Sequence, residues 1–216
     1  MLHLRLSRGN AVGYKAFLQH LASIRFRVVT SLQKLAVTPN QLTTAGVTIC
    51  IASGLLAALG ANLAVVGVVF IVGATFDALD GIAARVQRST RPAFGGFADT
   101  MADRIGEVAL LVGFVIRFTE PHLLRLTAVA GFLGLLTSFT KAAAAEYGLN
   151  MNWPEAKVYG RPGRVVIQSV FLVLSGLRGD DQIGIMVMLA ILCAFNAATL
   201  AARLSKVITA DEANGQ

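Results

Sequence analysis

The stretch Leu35–Phe76 reads LAVTPNQLTTAGVTICIASGLLAALGANLAVVGVVFIVGATF and carries no charged residue. A membrane-crossing helix takes about 20 apolar residues, so this run is too long for one span and right for two. Gly60-Ala61-Asn62 supplies the turn between them. The sequence therefore predicts spans near 42–59 and 63–84, with Thr38-Pro39-Asn40 breaking the chain and capping the first.

The remainder fits the same solvent. Of 216 residues, 55% are hydrophobic and 14% charged, against about 25% charged in soluble domains. Further spans are predicted near 95–118, 122–145, 163–178 and 182–203. The expected class is an all-α integral membrane protein with six transmembrane helices and no sizeable soluble domain. Residues 14–35 place Tyr14, Phe17, Leu18, Leu21, Ile24, Val28, Leu32 and Leu35 on one helical stripe. That is an amphipathic helix, lying on the membrane surface or packed on the bundle. The expected division is an N-terminal interfacial segment at 1–37, a six-span domain at 38–206 and a fraying tail at 207–216.

The net charge is +7, and no acidic residue precedes Asp77. With the N-terminus inside, all nineteen lysines and arginines except Arg117, Arg125 and Arg178 fall on the inner side. This distribution obeys the positive-inside rule and predicts cytoplasmic termini. In so hydrophobic a chain the basic balance points to an anionic membrane surface or substrate rather than to nucleic acid. Cys50 and Cys193 sit in apolar runs without metal or disulfide spacing and read as small core residues.

Asp77, Asp80, Asp99 and Asp103 bracket one predicted cytoplasmic loop. Residues three apart lie about 60° apart around a helix and residues four apart about 40°, so each pair lines one face. Carboxylates at membrane depth are costly and functional by default. Four that converge repel one another unless protons or cations intervene. Oxygen-only ligands suit Mg²⁺ or Mn²⁺, ions that bind diphosphates and neutralise charge during phosphoryl transfer. Gly81 and Ala84 leave room for a ligand, and Arg85 adds a fixed positive charge. The bland alternative is a set of helix-capping aspartates paired with Arg85, Arg88 and Arg104.

The run Asp77-Ala-Leu-Asp80-Gly81-Ile-Ala-Ala84-Arg85, followed by Gly95-Gly-Phe-Ala-Asp99-Thr-Met-Ala-Asp103, resembles the signature of the CDP-alcohol phosphotransferases. Thr38-Pro-Asn-Gln-Leu-Thr43 is similar to the start of the first span in that family. Nine residues separate Arg85 from Gly95, one more than is usual there, which leaves both aspartate pairs intact. The resemblance implies a homodimeric inner-membrane enzyme with a cytoplasmic active site and two divalent ions. It makes Asp77, Asp80, Asp99 and Asp103 metal-site residues, with Asp103 the general base. Gly81, Ala84, Arg85 and Gly95 would surround the donor, usually CDP-diacylglycerol, and CMP would leave.

A second cluster comprises Lys141, Glu146, Lys157, Arg161 and Arg164. It reads either as a solvated inner loop or as a phosphate site, since arginine forks suit phosphate. Ser138-Phe-Thr-Lys141, Ala145-Glu146 and Arg161-Pro-Gly-Arg164 are similar to the phosphatidylinositol-phosphate synthase branch, though four alanines at 142–145 depart from it. That branch implies Lys141, Arg161 and Arg164 on the phosphate of an acceptor such as inositol phosphate. Glycerol 3-phosphate is the alternative acceptor. A metal-ion or proton transporter is the alternative of another class. Against a transporter, the aspartates all sit near one membrane face, whereas transport needs access from both.

Overall fold

The computed structural model describes residues 38–86, 93–149, 153 and 160–214. The expected amphipathic helix at 14–35, and Arg88, Arg91 and Lys157, lie outside the described residues. Six helices follow in order: α1 (Pro39–Ala58), α2 (Leu63–Val86), α3 (Ala93–Arg117), α4 (Pro121–Glu146), α5 (Arg161–Arg178) and α6 (Asp181–Asn214). No strand occurs among the described residues.

The helix ends follow local chemistry. Thr38 and Gln41 form a capping box at the start of α1, with Pro39 in its first turn. Gly60 turns the chain into α2 with φ at 78°, a left-handed conformation that costs a residue with a Cβ. Gly179 closes α5 the same way. The one boundary that differs plainly from the sequence reading is the last. Residues 207–214, expected to fray, continue α6 to Asn214. The segment holds Ala210, Glu212 and Ala213, good helix formers, and neither glycine nor proline before Asn214 to stop it.

Packing follows membrane rules. Helix α1 lies against α2 and α3, α2 against α5, α5 against α6, and α6 against α4, with a smaller contact between α3 and α4. Glycines sit where backbones cross. A Cβ at Gly54 would strike the Ala109 carbonyl, and one at Gly113 would strike the Gly54 carbonyl, so α1 and α3 meet through glycine on both sides. Gly73 lies under Cys50, and Gly176 against Ala64. The main core gathers Leu63, Phe70, Leu110, Phe114, Leu172 and Leu189. Outside it, Leu55, Val68, Ile116, Phe132, Phe139 and Leu174 are exposed, a surface suited to hydrocarbon rather than water.

Helices α1, α2, α4 and α6 are long and apolar enough to cross a membrane. Helices α3 and α5 are not, for identifiable reasons. Within α3, residues 99–107 carry Asp99, Asp103, Arg104 and Glu107. Helix α5 has only 18 residues and buries Arg164, Gln168, Ser169 and Ser175. Both helices thus carry charged side chains of the site, which α2 also supplies through Asp77 and Asp80.

Candidate active site

Asp77 and Asp80 project from the second half of α2, and Asp99 and Asp103 from the first half of α3. Each of Asp77, Asp80 and Asp99 places a carboxylate oxygen within 4.8 Å of the other two. Such a trio of hard oxygen donors suits a divalent cation. Asp80 is 1% exposed and accepts a hydrogen bond from the Thr43 hydroxyl of α1. The Leu42, Leu79 and Ala83 cluster packs beside it and holds the start of α1 and the end of α2 together.

Asp103 is placed differently. The guanidinium of Arg161, from the first turn of α5, reaches across and pairs with both Asp77 and Asp103. It supplies the positive charge that converging carboxylates require. Arg161 Nε is buried without a hydrogen-bond partner. A cavity of about 380 Å³ opens beside this contact, between α2 and α5. Its polar end is Asp77, Asp103 and Arg161, and its apolar wall includes Ile71, Ala74, Ala78, Val165 and Val166. The cavity is therefore amphiphilic, with the charges at one end.

The structure separates the two arginines that the sequence placed together. Arg164 is 3% exposed, and its Nε and Nη2 donate to the two oxygens of Glu107 at 3.0 and 3.2 Å. Arg104 donates to the same carboxylate at 2.8 Å. Sequence reasoning missed Glu107. The signal was available, because an acidic residue four positions beyond Asp103 faces the same side of α3. One turn deeper, Gln168 and Asn196 line a small cavity with Glu107 and Arg164.

Lys141 is exposed near the end of α4. Arg203 of α6, also missed, is buried, donates to the Thr137 carbonyl and lies over the Trp153 ring at 5.7 Å. Gly81 follows Asp80 on α2 and is partly exposed. Ala84 and Arg85 fall on the last turn of α2 and Gly95 on the first turn of α3, and their side-chain surroundings lie outside the described part.

Fold and site together define an all-helical, membrane-type bundle with a carboxylate trio at one end. The chain belongs to the CDP-alcohol phosphatidyltransferase family, whose model matches residues 36–198. It is 37% identical over 90 residues to the archaetidylinositol phosphate synthase of Pyrococcus horikoshii, a match covering 42% of this chain and 47% of that protein. It thus spans about half the length of that curated relative. Its fold is similar to the phosphatidylinositol phosphate synthase of Mycobacterium tuberculosis in apo form, with a TM-score of 0.72 and 25% identity, covering 85% of this chain and 95% of that one. The same enzyme with CDP-DAG bound gives 0.69 and 26%, covering 85% and 93%. With manganese and citrate it gives 0.68 and 25%, covering 86% and 89%.

Proposed function

We propose that this protein transfers a phosphatidyl group from CDP-diacylglycerol to a phosphorylated alcohol, inositol phosphate first among the candidates, with release of CMP. The observation that carries the reading is the joining of three metal-type carboxylates to an amphiphilic cavity. Support comes from the family match and from solved relatives that hold CDP-DAG in one case and manganese in another.

In this reading Asp77, Asp80 and Asp99 hold Mg²⁺ or Mn²⁺, two ions per site, and Asp103 borders the second. When bound, such ions neutralise the donor diphosphate and the charge that develops at phosphorus. The lipid stem lies along Ile71, Ala74, Val165 and Val166, while Gly81, Ala84, Arg85 and Gly95 border the nucleotide. Asp103 takes the proton from the acceptor hydroxyl, whose oxygen attacks the phosphorus bearing the lipid, and the bond to the CMP oxygen breaks. Lys141 and Arg161 face the acceptor phosphate. The buried, unpartnered Nε of Arg161 supports an anion there. Arg164 stands behind them.

The same reading has six spans, with residues 38–206 as the catalytic domain. Helices α3 and α5 cross with the others, each presenting exposed apolar side chains such as Val112 and Ile116 or Val170 and Leu174 to lipid. Eighteen residues of α5 rise about 27 Å, close to a hydrocarbon core of about 30 Å. The termini and the site face the cytoplasm, residues 1–37 form an interfacial segment, and the enzyme works as a homodimer in the inner membrane. The test incubates purified protein with CDP-diacylglycerol, Mn²⁺ and, separately, inositol phosphate, glycerol 3-phosphate, inositol and serine, following CMP. Release with inositol phosphate alone is the expected result. Release with glycerol 3-phosphate alone reassigns the acceptor, and no release with any acceptor removes the reading.

A further inference from the structure

Deeper in the bundle than the aspartates, a cavity of about 20 Å³ lies where α3, α4, α5 and α6 meet. Two amide side chains line it, Gln168 of α5 and Asn196 of α6. They are 2% and 1% exposed. The Nδ2 of Asn196 donates to the Ala130 carbonyl of α4 at 3.3 Å, which orients the amide and leaves Oδ1 as its accepting end. Neither Asn196 Oδ1 nor Gln168 Oε1 has a hydrogen-bond partner among the described residues. A buried amide oxygen left without a donor is costly, and hydrocarbon around a membrane bundle offers none. The proposed reaction uses neither residue.

Space and charge narrow the ligand. A cation would meet the guanidinium of Arg164 on the same wall, and an anion would meet the carboxylate of Glu107. A neutral donor of hydrogen bonds fits both. A water molecule needs about 10–15 Å³ of such room and about two to four polar partners. It also brings two hydrogens, one for each amide oxygen. The room exists because α4 lines the cavity with Gly131 and Gly134, which carry no side chain.

We propose that this cavity binds a single water molecule, which donates one hydrogen bond to Gln168 Oε1 and one to Asn196 Oδ1. The water ties α5 to α6 and, through Asn196, to α4.

The test is a crystal structure of the wild-type protein at a resolution that shows ordered water, together with thermal melting of Gly134→Ala. The expected map has a density peak within hydrogen-bond distance of both amide oxygens. In Gly134→Ala the added methyl would stand 3.5 Å from Asn196 Nδ2, an ordinary contact, and takes part of the room. Displacing the water strands two amide oxygens, so the variant should melt about 2–4 °C below wild type. A dry cavity predicts the opposite sign, because alanine stabilises a helix interior relative to glycine. An empty cavity in the map, a direct bond between the two amides, or a Gly134→Ala melting temperature equal to or above wild type overturns the proposal. Should the variant fail to fold, the wild-type map decides alone.

Discussion

The hydroxyl of Thr43 donates to a carboxylate oxygen of Asp80, so the start of α1 orients a side chain of α2. Thr43 Oγ1 also lies 3.1 Å from the Pro39 carbonyl of its own helix. The hydroxyl is thereby held between a fixed helix end and the most buried carboxylate of the trio. Supporting hydrogen bonds of this kind typically change metal affinity by about 10–100-fold when removed. Thr43→Val, which keeps the branched shape, should weaken Mn²⁺ binding about tenfold, while Thr43→Ser should retain it. Titration of Mn²⁺ by electron paramagnetic resonance measures both. Equal affinities in Val and Ser variants would leave the threonine with a role in α1 alone.

The separation of Asp103 from the trio predicts divergent variants. Asp103→Asn should abolish turnover, because an amide cannot accept the hydroxyl proton, yet the protein should still bind CDP-diacylglycerol with Mn²⁺. Asp80→Asn should weaken that binding, since Asp80 belongs to the three carboxylates that converge within 4.8 Å. Calorimetry with the nucleotide lipid distinguishes the two. Wild-type turnover in Asp103→Asn would remove it as base.

Most of the helical layout was legible because its signals are local. The uncharged run from Leu35 to Phe76 places two apolar helices, and Gly60 and Thr38-Pro39 set their ends, since a turn glycine and a capping box act within a few residues. The carboxylate trio was legible because Asp77 and Asp80, and Asp99 and Asp103, each share a helix face at the two ends of one short connection. The partners of Arg161 and Arg164 were not. Both arginines lie on the first turn of α5, three residues apart, and nothing local says that one reaches Asp103 and the other Glu107. That choice depends on the height of α5 relative to α3, a long-range quantity. The end of α6 was misread for a related reason, because polarity after Arg203 signals exposure as readily as fraying.

The six-span reading predicts sidedness. Single cysteines at Ser89 and Gln182, in a Cys50→Ala, Cys193→Ala background, should label from opposite faces of sealed vesicles, Ser89 from the cytoplasmic face. Gln182 suits the purpose because it is exposed at the start of α6. It also avoids Gly179, where a side chain would be strained at φ 70°. Labelling of both from one face would take either α3 or α5 out of the membrane.

Arg161 should show two effects at once, because it carries two tasks. In the metal-free protein it is the cation between Asp77 and Asp103. Arg161→Ala leaves the carboxylates facing one another, so the metal-free protein should melt several degrees lower than wild type. Saturating Mn²⁺ should then recover more stability in the variant than in wild type, since ions bound only by the folded state stabilise it by mass action. The second task is the acceptor. A charge-assisted phosphate contact contributes about 1.5–3 kcal/mol, so its loss should raise the acceptor KM at least about tenfold. The donor KM should hardly move, because the donor is anchored through the aspartates. Melting curves with and without Mn²⁺, together with kinetics on inositol phosphate, separate the two tasks. A donor KM that rises instead would move Arg161 to the nucleotide lipid. A metal response equal to wild type would mean that Arg161 contributes little to balancing the charge of Asp77 and Asp103.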